Sequence, residues 1–485
     1  MTYMKIRIPE YKWQIFFVTG MANISTGIAI SSISLALPVI AEEFSVSMAA
    51  VSWLSLVYTI IPSCTLLIFG RIADIYGYKR QFIGGFTVFG VSSLILPLAA
   101  NGLAGLILFR CFQGIGYAMM ISITQALINR TFPANERGKA LGINVLFASV
   151  GLAIGPTISG LLMSLFSWRS VFYFNVPTCI IGVVMSVLIL KKNERDADTP
   201  RRMDWLGAFF FALFIGLLMF AINFSSEWGV LSVRLWICVA VSLCALILFI
   251  YRAGHTETPL MKLALFRNPV FSFASIACVC SYILHQMSTF LVPFFLMNIL
   301  LIGKSDSGFI MLASPVAMML LSPVGGRLVD RYGSRIPAIT GLSIIALGCF
   351  VMCSMTDTTP AYIVILSLLL YGTGHGLSVT AINSSIFSAV PREDSGIASG
   401  MTSTMRNLGQ SMGVAFSGAI MTMRQNHYFS LSGEWGGGVS AQNMVYLKAQ
   451  RDTYIFGLFV VILAINCIIR IPSKKGDASK KGEYL

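Results

Sequence analysis

A charged loop bounded by glycines occurs twice in this chain, each time between two long apolar runs. The first copy, residues 70–80, reads GRIADIYGYKR, and the second, residues 326–335, reads GRLVDRYGSR. Loops that recur at matching positions of two hydrophobic halves are typical of membrane transporters that arose by internal duplication. The repeat therefore predicts an all-α membrane protein made of two related halves.

The composition excludes an ordinary soluble domain. Charged residues make up 11% of the sequence and hydrophobic residues 56%, whereas a soluble domain carries about 25% charge. A spanning helix needs about 20 mostly apolar residues. Fourteen runs qualify, at residues 13–38, 50–70, 81–100, 103–129, 139–166, 171–190, 204–225, 231–251, 270–298, 307–326, 335–354, 361–389, 396–422 and 452–470. The first is too long for a cleaved signal peptide and lacks a small-residue cleavage site, so we expect it to remain as a span.

The basic residues predict the orientation in the membrane. With the N-terminus placed in the cytoplasm, all but eight of the 34 Lys and Arg residues fall on the cytoplasmic side. The exceptions are Arg110, Arg169, Arg234, Lys304, Arg406, Arg424, Lys448 and Arg451. This asymmetry follows the positive-inside rule, so we expect a multi-pass plasma-membrane protein with both termini cytoplasmic. It also accounts for the net charge of +14 without a nucleic-acid partner.

The duplication extends beyond the loop. At an offset of 258 residues, the matched pairs include Pro133 with Pro391, Gly138 with Gly396, Gly151 with Gly409 and Gly155 with Gly413. Spans 1–6 therefore correspond to spans 9–14, and spans 7 and 8 form an insert. We predict an N-terminal six-helix half at residues 1–200, a two-helix insert at 201–268, a C-terminal six-helix half at 269–472 and a cytoplasmic tail at 473–485.

Further motifs give the chain a resemblance to a known family. The loop at 70–80 resembles the signature of the major facilitator superfamily between spans 2 and 3. Two further sets resemble motifs of the superfamily's proton-coupled members and antiporters: Arg110, Gln113, Gly114 and Gly116 in span 4, and Gly151, Gly155, Pro156 and Gly160 in span 5. Two more resemble motifs of its fourteen-span family: Trp168, Arg169, Phe172, Asn175 and Pro177 before span 6, and Arg406, Leu408, Gly409 and Gly413 in span 13. Together with fourteen spans they resemble the drug:proton antiporter family. The resemblance implies a major facilitator fold and proton-coupled efflux of amphiphilic drugs or toxic compounds.

The repeated loop has a mechanical interpretation. Gly70 and Gly77 permit a tight turn and close helix approach, and Asp74 can bind the N-terminal amides of a neighbouring helix or an arginine. Such a contact can hold in one conformation and break in another. The resemblance implies a conformational latch that also includes Arg80 and, in the second copy, Asp330. The alternative is that the basic residues only anchor the loop at the lipid headgroups.

Few charged or titratable side chains lie inside the predicted spans. A charge at membrane depth is costly, and histidine is the side chain that titrates near neutral pH. The predicted cavity and proton-coupling residues are Arg110, Gln113, His285, His375, Arg406 and Gln410. The repeat places Leu368 opposite Arg110, so the fold does not require arginine in both halves. A structural role, bonded to carbonyls or to core groups, stays open for the arginines and the histidines.

Span 5 carries the predicted antiporter helix, formed by Gly151, Gly155, Pro156 and Gly160. Glycines four residues apart make a groove for a close partner helix, and a proline removes one backbone hydrogen bond and can kink the helix. Val414 replaces the proline in the second half. We predict that this helix packs at a moving interface; the alternative is packing alone.

No acidic residue lies in the middle of a predicted span. The family usually carries an Asp or Glu shortly before the Ala-Leu-Pro at 36–38, where this chain has Ala29 and Ile30. A membrane carboxylate that could bind a cation or a proton is therefore not expected. Proton dependence would fall to a histidine, to Asp74 or to Glu136. The substrate stays open between amphiphilic drugs and an organic anion or lipid-like metabolite.

Other classes of protein are disfavoured. The sequence shows no clustered nucleophile, acid–base pair or metal set, so we predict no enzyme activity, cofactor or metal. Cys278 with Cys280 and Cys349 with Cys353 lie inside apolar runs, as core residues do. A sensor would usually need an appended soluble domain, and the longest hydrophilic stretch is a glycine-rich external segment at about 423–451. The predicted partners are a small-molecule substrate, protons and the lipid bilayer.

Overall fold

The computed structural model describes residues 10–46, 48–99, 102–133, 135–191, 202–229, 232–391, 394–431 and 439–471, and its regular elements there are helices. The first part contains α1 (Tyr11–Glu43), α2 (Met48–Tyr76), α3 (Tyr78–Ile95), α4 (Leu103–Thr131), α5 (Arg137–Leu165), α6 (Arg169–Tyr173) and α7 (Asn175–Ile189). The predicted insert is α8 (Trp205–Trp228) and α9 (Val233–His255). A 3₁₀ turn (Leu263–Arg267) then leads to α10 (Pro269–Phe294), a π-helical turn (Phe295–Ile299), α11 (Lys304–Met311), α12 (Ala313–Tyr332), α13 (Arg335–Cys353), α14 (Ala361–Ser388), α15 (Ser395–Leu431) and α16 (Val439–Ile469). Helices are expected because apolar spans must satisfy their backbone hydrogen bonds internally.

Twelve of the described helical segments are long and apolar enough to cross a membrane. The prediction of fourteen is not confirmed on this measure, because α3 and α15 fall outside the set. The reason lies in their polar residues. α3 begins with the turn YKRQ, and α15 contains two arginines and many Ser, Thr, Asn and Gln side chains.

The last helix corrects the predicted bounds of the final spans, 396–422 and 452–470, and the placement of one acid. α16 begins at Val439 and α15 ends at Leu431, so helix occupies both flanks of the stretch predicted as an external glycine-rich segment. Asp452 consequently lies inside the span Gln442–Ile469, and the prediction that no acid lies in the middle of a span is wrong for this residue. Its carboxylate accepts hydrogen bonds from Arg424 Nε at 2.6 Å and from Tyr428 at 2.7 Å. That pairing stabilises a charge within the helix.

Each half has its own apolar core. In the first half, the rings of Phe82, Phe86 and Phe89 on α3 are fully buried against α4 and α7. In the second half, α10, α13, α14 and α16 surround one continuous core. The halves meet where α5 packs on α12 and α2 packs on α15. These two seams place the repeated loops at one common end of the bundle, which we call the loop end.

The insert lies against one of these seams. α8 packs on α9 and contacts both α2 and α15. Phe211 of α8 and Phe249 of α9 share a buried cluster with Leu67 of α2 and Ile397 of α15. The insert therefore covers one seam between the halves from the side.

The opposite end of the bundle carries an ion pair within the first half. Glu43 at the end of α1 accepts hydrogen bonds from the indole of Trp168 at 2.5 Å and from Arg169 Nη2 at 2.6 Å. The Arg169 guanidinium, together with the Trp168 N–H, lowers the pKa of the Glu43 carboxyl below its ordinary value. The Trp-Arg motif before span 6 thus ties α6 to the end of α1.

Candidate functional site

Asp74 joins the two halves at the loop end. Its carboxylate accepts backbone hydrogen bonds from Gly396 at 3.1 Å and from Ile397 at 3.2 Å, in the first turn of α15. The Tyr78 hydroxyl donates a third bond at 2.5 Å, and Arg130 Nη2 lies 3.6 Å away. The side chain is 2% exposed. A buried carboxylate at a helix N-terminus is stabilised by the free amides and by the helix dipole.

Asp330 repeats this contact in the opposite direction. Its two oxygens accept hydrogen bonds from the backbone of Gly138 at 2.8 Å and of Lys139 at 2.9 Å, in the first turn of α5. Each half therefore supplies one aspartate that caps a helix of the other half. We call these two contacts, Asp74 with α15 and Asp330 with α5, the aspartate caps.

Glycines allow the backbones to approach at both caps. A Cβ added at Gly70 would collide with the carbonyl oxygen of Gly396, and one added at Gly326 would collide with that of Gly138. The loop glycine Gly77 has φ +97°, a left-handed conformation that favours glycine. Gly70 and Gly77 thus have different structural roles. Gly70 permits the close approach of α2 to α15, and Gly77 allows the turn between α2 and α3.

The structure does not bring Arg80 to the aspartate cap. Arg80 is exposed, and no side-chain bond from it to the cap occurs among the residues described. The cation near Asp74 is instead Arg130 of α4, which also lies over the Tyr78 ring at 4.8 Å. The sequence analysis missed Arg130 and Tyr78. Tyr78 lies four residues after Asp74, a spacing that could have indicated the contact.

The glycines of α5 pack on α1 as a groove, with one exception. A Cβ at Gly151 would lie 2.7 Å from the carbonyl oxygen of Ile24, and one at Gly155 would collide with Ser31. α5 continues through Pro156 as one helix. Gly160 faces open space, so its place in the predicted groove is wrong. Ser159 fills that role by donating to the Ser32 carbonyl at 2.9 Å.

The second half repeats this packing. A Cβ at Gly409 of α15 would lie 2.6 Å from the carbonyl oxygen of Val279 on α10, and one at Gly413 would lie 2.6 Å from that of Ile283. The equivalence between α5 and α15 that the sequence repeat indicated is thus present in the helix contacts.

Arg110 makes its contacts inside the first half. Its Nε donates to the Leu54 carbonyl at 3.1 Å, and its Nη1 donates to the Gln113 side chain at 2.8 Å. Gln113 in turn donates to Ser93 at 2.6 Å. The guanidinium lies over the Tyr58 ring at 4.3 Å. These are the contacts of the structural alternative, in which the arginine holds α2 to α4.

Arg406 reaches across the seam in the middle of the bundle. Its Nη2 donates to the Tyr117 hydroxyl of α4 at 2.9 Å, and the adjacent Asn407 donates to Ser63 of α2 at 3.2 Å. The Tyr117 ring packs on Tyr58 with centroids 5.6 Å apart. Tyrosines therefore connect Arg406 to Arg110 across the two halves. The sequence analysis missed these tyrosines because aromatic residues are common in apolar helices.

Gln410 lies one turn beyond Arg406 on α15. It is half-buried, and its side chain forms no hydrogen bond with the residues that the structure describes. A side-chain amide inside a membrane protein usually forms hydrogen bonds with other polar groups. The role of Gln410 as a cavity residue stays a prediction.

His285 and His375, which are 90 residues apart in the sequence, stack on one another. Their ring centroids are 4.3 Å apart and their planes differ by 7°. His375 on α14 is 1% exposed, and its Nδ1 lies 3.1 Å from the Ser281 hydroxyl. His285 on α10 is half-buried. The tertiary structure thus turns two separately predicted titratable residues into one cluster, which we call the histidine pair.

Two pockets in the described part of the molecule lie away from these residues. One, of about 320 Å³, is lined by Leu328, Tyr332, Ile336, Pro337, Thr340 and Leu377. The other, of about 460 Å³, lies between α10, α15 and α16 and is lined mainly by apolar side chains such as Phe416 and Phe459. Neither pocket contains a predicted cavity residue.

Comparison with known proteins agrees with this geometry. A sequence model described as Major Facilitator Superfamily matches residues 19–414. The chain is 28% identical over 453 residues to the riboflavin transporter RibZ of Clostridioides difficile (strain 630). The aligned region covers 93% of this chain and 97% of that protein. It is 31% identical over 393 residues to the multidrug resistance protein Stp of Mycobacterium tuberculosis (strain CDC 1551 / Oshkosh), covering 80% and 72%.

A solved structure shares the fold. The crystal structure of the human organic anion transporter MFSD10 (TETRAN) matches with a TM-score of 0.67 at 11% sequence identity. The match covers 94% of this chain and 100% of that chain. At this identity the similarity shows a common architecture.

Proposed function

The chain belongs to the Major Facilitator Superfamily and is a multi-pass membrane transporter of small molecules, and we propose that it exports amphiphilic drugs or toxic compounds in exchange for protons by alternating access. Its similarity to a multidrug resistance protein supports the proposed class of substrate. Family membership points to a transporter rather than an enzyme.

The aspartate caps are the observation that carries this proposal. Asp74 and Asp330 close the loop end by binding helix amides of the opposite half. Both contacts break if the halves move apart, and breaking them leaves a carboxylate and a helix end that water can then solvate. The caps therefore favour one of two conformations without touching a substrate, as alternating access requires.

We also propose fourteen spans, because the packing of α2 and α4 requires α3 to cross the bundle. Arg110 near the start of α4 binds Leu54 near the start of α2, and Arg130 near the end of α4 reaches Asp74 near the end of α2. These helices run in the same direction, so α3 must return between them. Its 18 residues extend about 27 Å, close to the thickness of about 30 Å of a bilayer core.

The same reasoning supports α15 as a span. It begins at Asp74 beside the end of α2, passes Leu66 at Gly400 and reaches Ser63 at Asn407. α15 therefore runs antiparallel to α2 and into the bundle. Its 37 residues extend about 55 Å, which exceeds the bilayer core. Its hydropathy is low because polar side chains such as Arg406 and Asn407 bind partners inside the protein rather than facing lipid.

We propose that the loop end faces the cytoplasm of a plasma membrane. Lys79 and Arg80 belong to the first copy of the loop, and Arg331 and Arg335 belong to the second. Cytoplasmic loops of bacterial and eukaryotic membrane proteins are enriched in such residues. With an even number of spans, both termini would lie on this side.

A transport assay tests the proposal. Proteoliposomes with an acidic lumen are incubated with a cationic or an anionic fluorescent dye, and uptake is compared before and after an ionophore collapses the gradient. We expect saturable dye uptake that stops when the pH gradient is lost. Uptake that is indifferent to the gradient would contradict proton coupling.

A second candidate is a transporter of an organic anion or lipid-like metabolite. The observation that favours it is the positive charge of Arg406 at the seam, with Arg110 behind the Tyr58 and Tyr117 rings, while the Asp452 carboxylate is paired with Arg424. The similarity to a riboflavin transporter supports a metabolite as cargo. Saturable uptake of the anionic dye without uptake of the cationic dye would favour this candidate.

A further inference from the structure

The histidine pair has a geometry that limits how it binds protons. The rings are nearly parallel at 7°, so their N–H bonds, which lie in the ring planes, cannot point at each other's nitrogens. His285 Nδ1 and His375 Nε2 are both buried and lack a hydrogen-bond partner among the residues described. The site therefore contains ring nitrogens that are free to accept a proton, but no shared hydrogen bond.

Other groups near the pair bear on its charge. The Tyr282 ring meets His375 edge-on at 5.0 Å, and Arg406 on α15 interacts with the Tyr282 hydroxyl. The neighbouring groups are otherwise neutral: Ser281 on α10, Ser378 on α14, and Ser322 and Met318 of α12 beside Gly376. The described acids of this half are Asp306, Asp330, Asp357, Asp394 and Asp452, and none bonds to either ring.

The short distance between the two histidine rings affects binding of a first and of a second proton differently. A single imidazolium is attracted to the face of the neutral ring beside it. Two imidazolium ions with centroids 4.3 Å apart repel each other, which weakens binding of the second proton on the order of 1000-fold at an effective dielectric constant of about 20. The positive charge of Arg406 acts in the same direction.

We propose that His285 and His375 together form one proton-binding site that takes a single proton, and, on the proposed transport function, that this site is the one that couples export to protons. The His285 ring is half-buried, and the fully buried His375 ring stacked on it can stabilise the added charge. The pair thus supplies the titratable group that a membrane carboxylate would otherwise provide.

Proton binding can be measured without transport. Protein labelled with ¹⁵N-histidine is titrated by NMR from pH 4.5 to 8.5, and the four histidines are assigned with single His→Gln variants. The exposed His255 and His427, which lie outside the pair, serve as internal references. We expect one proton in total for His285 and His375 over this range. Two full protons, or none, would overturn the proposal.

Transport assays then test coupling. His285→Gln and His375→Gln should each keep a response to the pH gradient with a shifted midpoint, and the double variant should lose the response. His255→Gln and His427→Gln are matched controls that should behave as wild type. A double variant that still responds fully would overturn the coupling role. If wild-type transport ignores the gradient, the proposed antiport is wrong, whereas the NMR titration decides the single-proton site separately.

Discussion

Asp74 and Asp330 make the same contact from opposite halves of the molecule. Each carboxylate accepts two backbone hydrogen bonds from the first turn of a helix in the other half, α15 for Asp74 and α5 for Asp330. Their surroundings differ, because Asp74 is buried and also binds Tyr78 and Arg130, whereas Asp330 is half-buried. The two aspartate caps are equivalent in topology and unequal in strength.

This inequality predicts different effects of two matched substitutions. Asp74→Asn should slow export about tenfold or more, because a hydrogen bond to a charged group contributes about 1.5–3 kcal/mol and 1.4 kcal/mol corresponds to tenfold in rate. Asp330→Asn should slow it less. Initial rates in proteoliposomes measure both. Asp357→Asn, in an exposed loop, is the control, and equal rates for Asp74→Asn and this control would refute the role of the cap.

The close approach of the backbones predicts the effect of one added methyl group. In Gly396→Ala the new Cβ would collide with the Gly70 carbonyl oxygen and lie 2.6 Å from Asp74 Oδ1. We expect the loop end to open, and the amides of the first turn of α15 to exchange with solvent at least about tenfold faster by hydrogen-exchange mass spectrometry. Gly418→Ala, in open space on the same helix, is the control. Equal exchange in both variants would contradict the closed seam.

Arg110 is predicted to stabilise the first half. Arg110→Met leaves the Leu54 carbonyl and the Gln113 side chain without their donor, and an unsatisfied buried polar group costs about 1–3 kcal/mol. We expect a lower midpoint of thermal unfolding in detergent. Phe112→Ala, at a position 44% exposed on the same helix, should unfold nearly as wild type. Lost transport with an unchanged midpoint would instead indicate a direct role in the cavity.

The pair between Glu43 and Arg169 predicts a pH-dependent stability. Because the folded protein lowers the pKa of Glu43, its contribution is present above the ordinary carboxyl pKa and is lost as the pH falls through the folded value. The side chains of Glu43 and Arg169 are 38% and 35% exposed. Solvent therefore screens the pair, and we expect it to contribute only about 0.5 kcal/mol to the free energy of unfolding.

Thermal unfolding of Glu43→Gln between pH 7 and pH 3 checks this. The variant should be less stable than wild type at pH 7, and the difference should vanish at the acid end. Glu42→Gln, at the adjacent exposed position, should show a smaller difference at pH 7. A difference that grows on acidification would show that the sign is wrong.

The positions of most helices could be predicted from the sequence, because the length of an apolar run depends only on neighbouring residues along the chain. The predicted spans 103–129 and 335–354 agree closely with α4 (Leu103–Thr131) and α13 (Arg335–Cys353). The start of α16 did not follow, because its first turns are polar and are held by Asp452, Arg424 and Tyr428. A contact with another helix, rather than hydropathy, extends it.

By itself, the sequence determined the membrane class, the duplication and the glycine and aspartate positions of the repeated loop. These depend on composition and on spacing along one chain. The tertiary structure alone decided that Asp74 caps α15, that Tyr117 receives Arg406 and that His285 stacks on His375. Such contacts depend on which faces of two helices meet, and helices that are apolar on nearly all sides carry no periodic signal that fixes those faces.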